Sequence, residues 1–207
     1  TVAGPLIGGF LFLITKETPF YVFSFFALIA AFGIYSKLEP TNPKRNEEKS
    51  LNKIKWTSST VLPFLAFAAI LSLCQASLIQ SIGFYITDLF GNFQDLPTLI
   101  SMTFALLSIS TIFSQYIFTD AFPINNYQLL LFGSILLVFS YFTMAYIQTI
   151  SVYYLSIIIL GFGFGMTRPA LSSALSLAQT PENQGSAAGY YGSVIPIGHM
   201  TTPFIAM

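Results

Sequence analysis

The sequence predicts an all-α bundle of membrane-spanning helices. Hydrophobic residues make up 54% of the 207 residues and charged residues only 8%, whereas about a quarter of the residues in a soluble domain are charged. Because so few charges cannot cover a water-facing surface, lipid must solvate part of the chain. Aromatic residues reach 16%, which suits lipid-facing and interfacial positions. The formal net charge of +0 gives no indication of a nucleic-acid partner.

Seven apolar segments account for most of the chain. A membrane-crossing helix needs about 20 largely apolar residues. The runs are too long for β-strands and do not alternate with a period of two, which also argues against an outer-membrane barrel. Both termini fall inside apolar stretches, so we expect the chain to be a fragment of a longer protein. The segments are residues 6–15 (truncated), 19–35, 61–91, 96–118, 127–148, 152–177 and 185–207.

The distribution of basic residues predicts the orientation of these segments. Six of the eight Lys and Arg residues lie in one polar connection, residues 36–57, which also contains Pro40 and Pro43. The positive-inside rule places this connection in the cytoplasm. The other connections are mostly short, so neighbouring helices should run antiparallel and segment 61–91 should run from inside to outside. We expect a multi-pass protein of the plasma (inner) membrane.

Two proline-containing stretches share a local pattern of Pro, a large apolar residue, Ile and a small residue. They are Gly4-Pro5-Leu6-Ile7-Gly8-Gly9 and Thr202-Pro203-Phe204-Ile205-Ala206-Met207. The second stretch lies in the sixth segment after the first, and the predicted orientation gives both the same direction. This spacing favours a parallel six-helix repeat, which is how one large class of transporters is built.

Several motifs resemble those of a known family. Gly4-Pro5-x-x-Gly8-Gly9 resembles the fifth-helix signature of drug–proton antiporters of the major facilitator superfamily. The basic connection is similar to that superfamily's central linker. Gly161-Phe162-Gly163-Phe164-Gly165 with Pro169 resembles its tenth helix, and the stretch from Pro181 to Gly189 resembles the following junction.

The resemblance implies a helix bundle of the major facilitator type, incomplete here and covering helices 5 to 11 of twelve. Residues 1–35 would end the N-terminal six-helix half, residues 36–57 would form the cytoplasmic linker, and residues 58–207 would form most of the C-terminal half. The implied function is secondary active transport of a small molecule by alternating access. Proton-coupled efflux of a drug or metabolite, of the tetracycline or multidrug type, is the leading hypothesis.

Other functions stay open as alternatives. A major facilitator uptake permease would share the fold, and a membrane-embedded enzyme is the alternative from a different class. We find no catalytic constellation, because Gly192-Ser193 lacks a protease-like context and Asp88 has no intramembrane carboxylate partner. We expect no enzymatic activity, no cofactor and no metal site. A small molecule, the lipid bilayer and protons are the expected partners.

Glycines four residues apart lie on one helix face and allow close approach of a neighbouring backbone. Gly4 and Gly8 form such a pair, while Pro5 would bend their helix and Gly9 completes the motif. In the antiporter family this motif is taken to seal a helix contact in one access state, so the resemblance implies a gating role. Two further pairs favour ordinary packing, and these are Gly161 with Gly165 and Gly185 with Gly189.

Polar and ionisable residues inside membrane segments are candidates for the transport path. Arg168 and His199 lie within apolar segments, although snorkelling of the arginine or a packing role for the histidine would also explain them. Two polar clusters, within residues 75–81 and 108–115, predict either a cavity shared by their two helices or hydrogen bonding between helices. The candidates for the substrate cavity are therefore Gln75, Gln80, Ser114, Gln115, Arg168 and His199.

Overall fold

The structure is a computed structural model that describes residues 7–8, 11, 14–15, 17–37, 55–91, 96–121, 124–146 and 149–205. It contains six long helices: α1 Thr18–Lys37, α2 Leu62–Phe90, α3 Leu96–Gln115, α4 Asn126–Ala145, α5 Ile150–Leu177 and α6 Gln184–Ile205. A π-helical segment, Tyr116–Ala121, continues α3. These ranges contain no β-strand, which confirms the all-α prediction.

Residues at the helix ends explain several boundaries. Proline lies in the first turn of α2, where its missing N–H would have no helical acceptor. Gly91 ends α2 with a φ of 76°, a left-handed conformation that costs glycine little. Asn125 caps α4, because its side-chain oxygen accepts from the backbone N–H of Tyr127 at 3.3 Å.

Contacts between the helices give their relative directions. Gly133 of α4 approaches Gly163 of α5, while Asn126 bonds Ser173 further along α5, so these helices are antiparallel. By contrast, α3 and α5 are parallel, since Thr103 bonds Tyr153 and Ser114 bonds Phe162. Helices α2 and α6 are parallel as well, because Val61 and Ala187 share a cluster near their starts and Ser72 bonds Ile195 further along both. These directions agree with the alternation predicted from the short connections.

The core is centred on α5. This helix packs along both α3 and α4, and its Tyr153, Ile157, Leu160 and Phe164 are almost fully buried. A second extended contact joins α2 to α6. Helix α1 buries none of its residues. The bundle therefore consists of a three-helix group, α3 to α5, beside a helix pair, α2 and α6.

Six of the seven predicted segments are helical. Within the described residues, five helices are long and apolar enough to cross a membrane, namely α1 to α5. Helix α6 is not among them, although it is continuous, because Gly, Ser, Thr and Pro make it less apolar. Most of segment 6–15 and residues 38–54 of the connection lie outside the described residues, so the predicted domain boundaries stay a prediction.

Candidate functional site

The polar residues of the bundle fall into two regions with different surroundings. One region lies between α3 and α5, and the other lies where α6 meets α2 and α5. Polar groups in a membrane must find partners in the protein or in water. The contacts in each region therefore show which polar residues are committed to packing and which are accessible.

The contact between α3 and α5 is closed. A Cβ atom added at Gly161 would lie 2.6 Å from the Cβ of Ser110, and one at Gly165 would lie 2.7 Å from the Cβ of Ser114. Such distances are well inside van der Waals contact. The packing role predicted for this glycine pair is therefore confirmed.

Hydroxyl groups along this contact donate to backbone carbonyls. Ser114 donates to the carbonyl of Phe162 at 3.0 Å, and Thr111 donates to the carbonyl of Leu107 at 2.7 Å. Ser114 is fully buried. Ser114 therefore faces α5 in this conformation, and its predicted place in a substrate cavity stays a prediction. The bond to Phe162 satisfies the buried hydroxyl of Ser114. Gln115, the next residue, is partly exposed.

The contact between α2 and α6 is closest at Gly198. A Cβ atom added there would lie 2.6 Å from the carbonyl carbon of Ser72 and 2.7 Å from the backbone nitrogen of Leu73. At the same level, the Ser72 hydroxyl donates to the carbonyl of Ile195 at 2.6 Å. Two backbones thus cross almost directly, which requires a residue without a side chain on α6.

Gln80 makes a second polar contact with α6. Its side-chain amide donates to the carbonyl of His199 at 3.2 Å, and both residues are exposed. The structure therefore brings together two of the sequence candidates, although through the backbone of His199 and not through its imidazole. Gln75, also on α2, is partly exposed.

Arg168 lies on the side of α5 that approaches α6. Its guanidinium carbon is 5.5 Å from the ring centroid of Phe164, one turn earlier on the same helix, which is within cation–π range. Leu175, seven residues later on the same face of α5, packs in a cluster with Ala187 and Tyr191 of α6. Tyr191 and His199 are eight residues apart, or about 12 Å along a helix. The face of α5 that carries Arg168 therefore packs against α6 about two turns before His199.

Several residues that join the helices were missed in the sequence. Tyr141 of α4 donates to the carbonyl of Cys74 at 2.7 Å, and Tyr85 of α2 donates to the carbonyl of Met144. Ser72 was missed as well. The sequence does not show which helix a single hydroxyl in an apolar segment will contact, since its acceptor is a backbone carbonyl, which every residue has.

The exposed faces of α4 and α6 differ in character. On α4 the exposed side chains are bulky and apolar, and they include Leu131, Phe132, Ile135, Val138, Phe139 and Phe142. On α6 the exposed residues before Ile197 are small or polar, and they include Gly185, Ala188, Gly189, Gly192, Ser193 and Pro196. The first pattern suits lipid and the second suits protein or water.

The glycine motifs receive unequal support. Within the described residues, no heavy atom lies within 4 Å of a Cβ added at Gly185 or Gly189, so the packing predicted for this pair is not seen. A Cβ added at Gly8 would lie 3.7 Å from the ring of Phe23, an ordinary contact. Gly4, Pro5 and Gly9 lie outside the described residues. The part of the chain that is described contains no cluster of His, Cys, Asp or Glu suited to a metal ion.

These features define a multi-pass helical membrane protein whose polar residues lie in the contact between α3 and α5 and around α6. The sequence profile of the Major Facilitator Superfamily matches residues 1–203. The chain therefore belongs to the Major Facilitator Superfamily, and it is a membrane transporter of that type. Members of this superfamily are transporters and not enzymes. No curated protein matches the chain.

Proposed function

We propose that the chain is part of a secondary active transporter that moves a small molecule by alternating access, most simply as proton-coupled efflux of a drug or metabolite. The observation that carries the proposal is the convergence of polar groups from α2 and α5 on α6. Gln80 bonds the His199 carbonyl of α6, and Arg168 lies on the face of α5 whose Leu175 packs with Ala187 and Tyr191 of α6. Intramembrane ionisable groups commonly mark such paths.

The proposed path follows the small, polar face of α6. Its walls would carry Gln75 and Gln80 from α2, Arg168 from α5 and His199 from α6, with Gln115 near the end of α3. The bulky face of α4 would then contact lipid. This arrangement places the charged guanidinium beside water and keeps it away from the acyl chains, where a charge costs several kcal/mol.

We also infer that the chain divides into parts of two six-helix halves, as the sequence predicts. Residues 1–35 would be helices 5 and 6, residues 36–57 the cytoplasmic linker, and residues 58–207 helices 7 to 11. The alternating directions of α2 to α6 support this numbering. The motif formed by Gly4, Pro5, Gly8 and Gly9 would then contact the other half and seal one access state.

Efflux from the plasma membrane is tested in cells that express or lack the intact protein. We expect cells that lack it to accumulate more ethidium, tetracycline or another compound of a broad panel. Collapsing the proton gradient with a protonophore should abolish the difference, because the outward movement would be driven by proton entry. No difference for any compound would refute efflux. Lower accumulation in cells that lack the protein would instead identify an uptake permease.

The role of Arg168 is tested by removing its charge. We expect Arg168→Gln to reduce transport at least about tenfold at an unchanged amount of membrane-inserted protein, while Arg168→Lys retains part of the activity. Lys55→Gln provides the matched control, since Lys55 is an exposed cation just before α2. Full transport by Arg168→Gln would exclude Arg168 from the path.

A further inference from the structure

Pro203 lies inside α6 and alters its hydrogen bonding. In an α-helix the carbonyl of residue 199 accepts from the backbone N–H of residue 203. Proline has no N–H, so Pro203 cannot donate to the carbonyl of His199. In membrane helices, groups freed in this way are commonly satisfied by neighbouring helices.

Gln80 supplies the missing donor from α2. Its Nε2 atom lies 3.2 Å from the carbonyl oxygen of His199, the carbonyl that Pro203 leaves without its helical partner. The contact lies at the surface of the two helices, so it can break without opening a packed core. This bond is therefore reversible, unlike a bond buried in a packed seam.

The neighbouring contact at Gly198 is of the opposite kind. There the backbones of α2 and α6 cross almost directly, and the Ser72 hydroxyl bonds the carbonyl of Ile195 at 2.6 Å. Thr202, which is fully buried, donates to the carbonyl of Gly198 at 2.7 Å. A fixed crossing thus lies beside a releasable contact on the same pair of helices.

We propose that Gln80 is a latch on the end of α6. Gln80 holds the His199 carbonyl in the conformation described here, and its release lets the segment from His199 to Ile205 move about the crossing at Gly198. The latch rests on the proposed function, since it controls the population of one access state. It deepens that function by naming a contact that changes between states.

The latch is tested in the intact protein by distance measurements between spin labels. Labels replace Phe84 of α2 and Phe204 of α6, both largely exposed, after Cys74 is changed to Ser. We expect Gln80→Leu to shift the ratio of long to short distances about threefold, the change that an average interhelical hydrogen bond in a membrane supports. Ser81→Ala serves as the control and should leave the ratio unchanged, since the Ser81 hydroxyl donates to the carbonyl of Ser77 on its own helix.

A second substitution separates the latch from general weakening of the contact. Pro203→Ala restores the N–H that the His199 carbonyl lacks, so Gln80 becomes dispensable. In the Pro203→Ala background we expect Gln80→Leu to have no further effect on the distance ratio. An unchanged ratio in Gln80→Leu, an equal shift in Ser81→Ala, or an undiminished shift in the double variant would each overturn the proposal.

Transport measured on the same variants distinguishes the two levels of inference. If the unlabelled wild-type protein moves none of the compounds, the proposed function fails. If it transports and Gln80→Leu leaves the distance ratio unchanged, only the latch fails. If the latch is correct, Gln80→Leu changes the transport rate of the wild type. In the double variant the rate should lie near that of Pro203→Ala alone.

Discussion

The crossing of α2 and α6 predicts a large difference between two glycines of one helix. A methyl group added at Gly198 would lie 2.6 Å and 2.7 Å from backbone atoms of α2, whereas none of the described atoms lies within 4 Å of one added at Gly192. Carbon atoms in contact prefer at least about 3.5 Å. Gly198→Ala must therefore push the helices about 1 Å apart, because backbone atoms cannot rotate away.

The cost follows from three contributions. Overpacking of this kind costs about 1–3 kcal/mol, and separation of the helices would also break the bond from Ser72 to Ile195, about 0.6 kcal/mol in a membrane. The higher helix propensity of alanine offsets about 0.5–1 kcal/mol. The net destabilisation is about 1–3 kcal/mol, which lowers the unfolding midpoint of a protein of this size by about 3–9 °C.

Thermal unfolding of the purified protein in detergent measures this difference. We expect Gly198→Ala to unfold well below the wild type, and Gly192→Ala to unfold at the same temperature or slightly above it. Ser72→Ala alone should lower the midpoint by only about 1–2 °C, since it removes the hydrogen bond without adding volume. Equal midpoints for Gly198→Ala and Gly192→Ala would refute the close crossing.

Three further predictions test the group of α3, α4 and α5 by the same unfolding assay. Gly165→Ala should lower the midpoint by about 2–6 °C, because its methyl group would lie 2.7 Å from the carbonyl oxygen of Thr111; an unchanged midpoint would contradict this contact. Ser140→Ala should cost about 0.6 kcal/mol, since the buried hydroxyl donates to the carbonyl of Ser156 at 2.6 Å, and no loss would mean that the bond is replaced. The hydroxyls of Tyr153 and Thr103 lie 3.0 Å apart, so removing the Tyr153 hydroxyl should lower the midpoint less when Thr103 is already Val. If the two substitutions lower the midpoint additively, the bond is excluded.

The sequence predicted the helices well because membrane insertion imposes long apolar runs. It was less successful at deciding what polar residues do. Helical periodicity places Ser114 on a face of its helix but cannot identify the neighbouring helix, which in the structure is α5. The sequence alone predicts that Pro203 frees the carbonyl of His199, because a helical carbonyl accepts from the N–H four residues later. Its donor, Gln80, lies on a helix 119 residues away in the sequence, so only the fold could pair them.

The two parts of the bundle differ in how their helices are joined, and this difference bears on where movement can occur. Helix α5 is fixed to α3 by pairs spread over several turns, namely Thr103 with Tyr153, Ser110 with Gly161, and Ser114 with Gly165. Such a seam can change only by losing many contacts at once. Helix α6 also packs along α2, but its part beyond the crossing at Gly198 is joined to α2 by the exposed bond from Gln80. Movement therefore breaks fewer contacts at the end of α6 than within the group of α3, α4 and α5, so a rigid group and one movable helix end are the arrangement that these contacts favour.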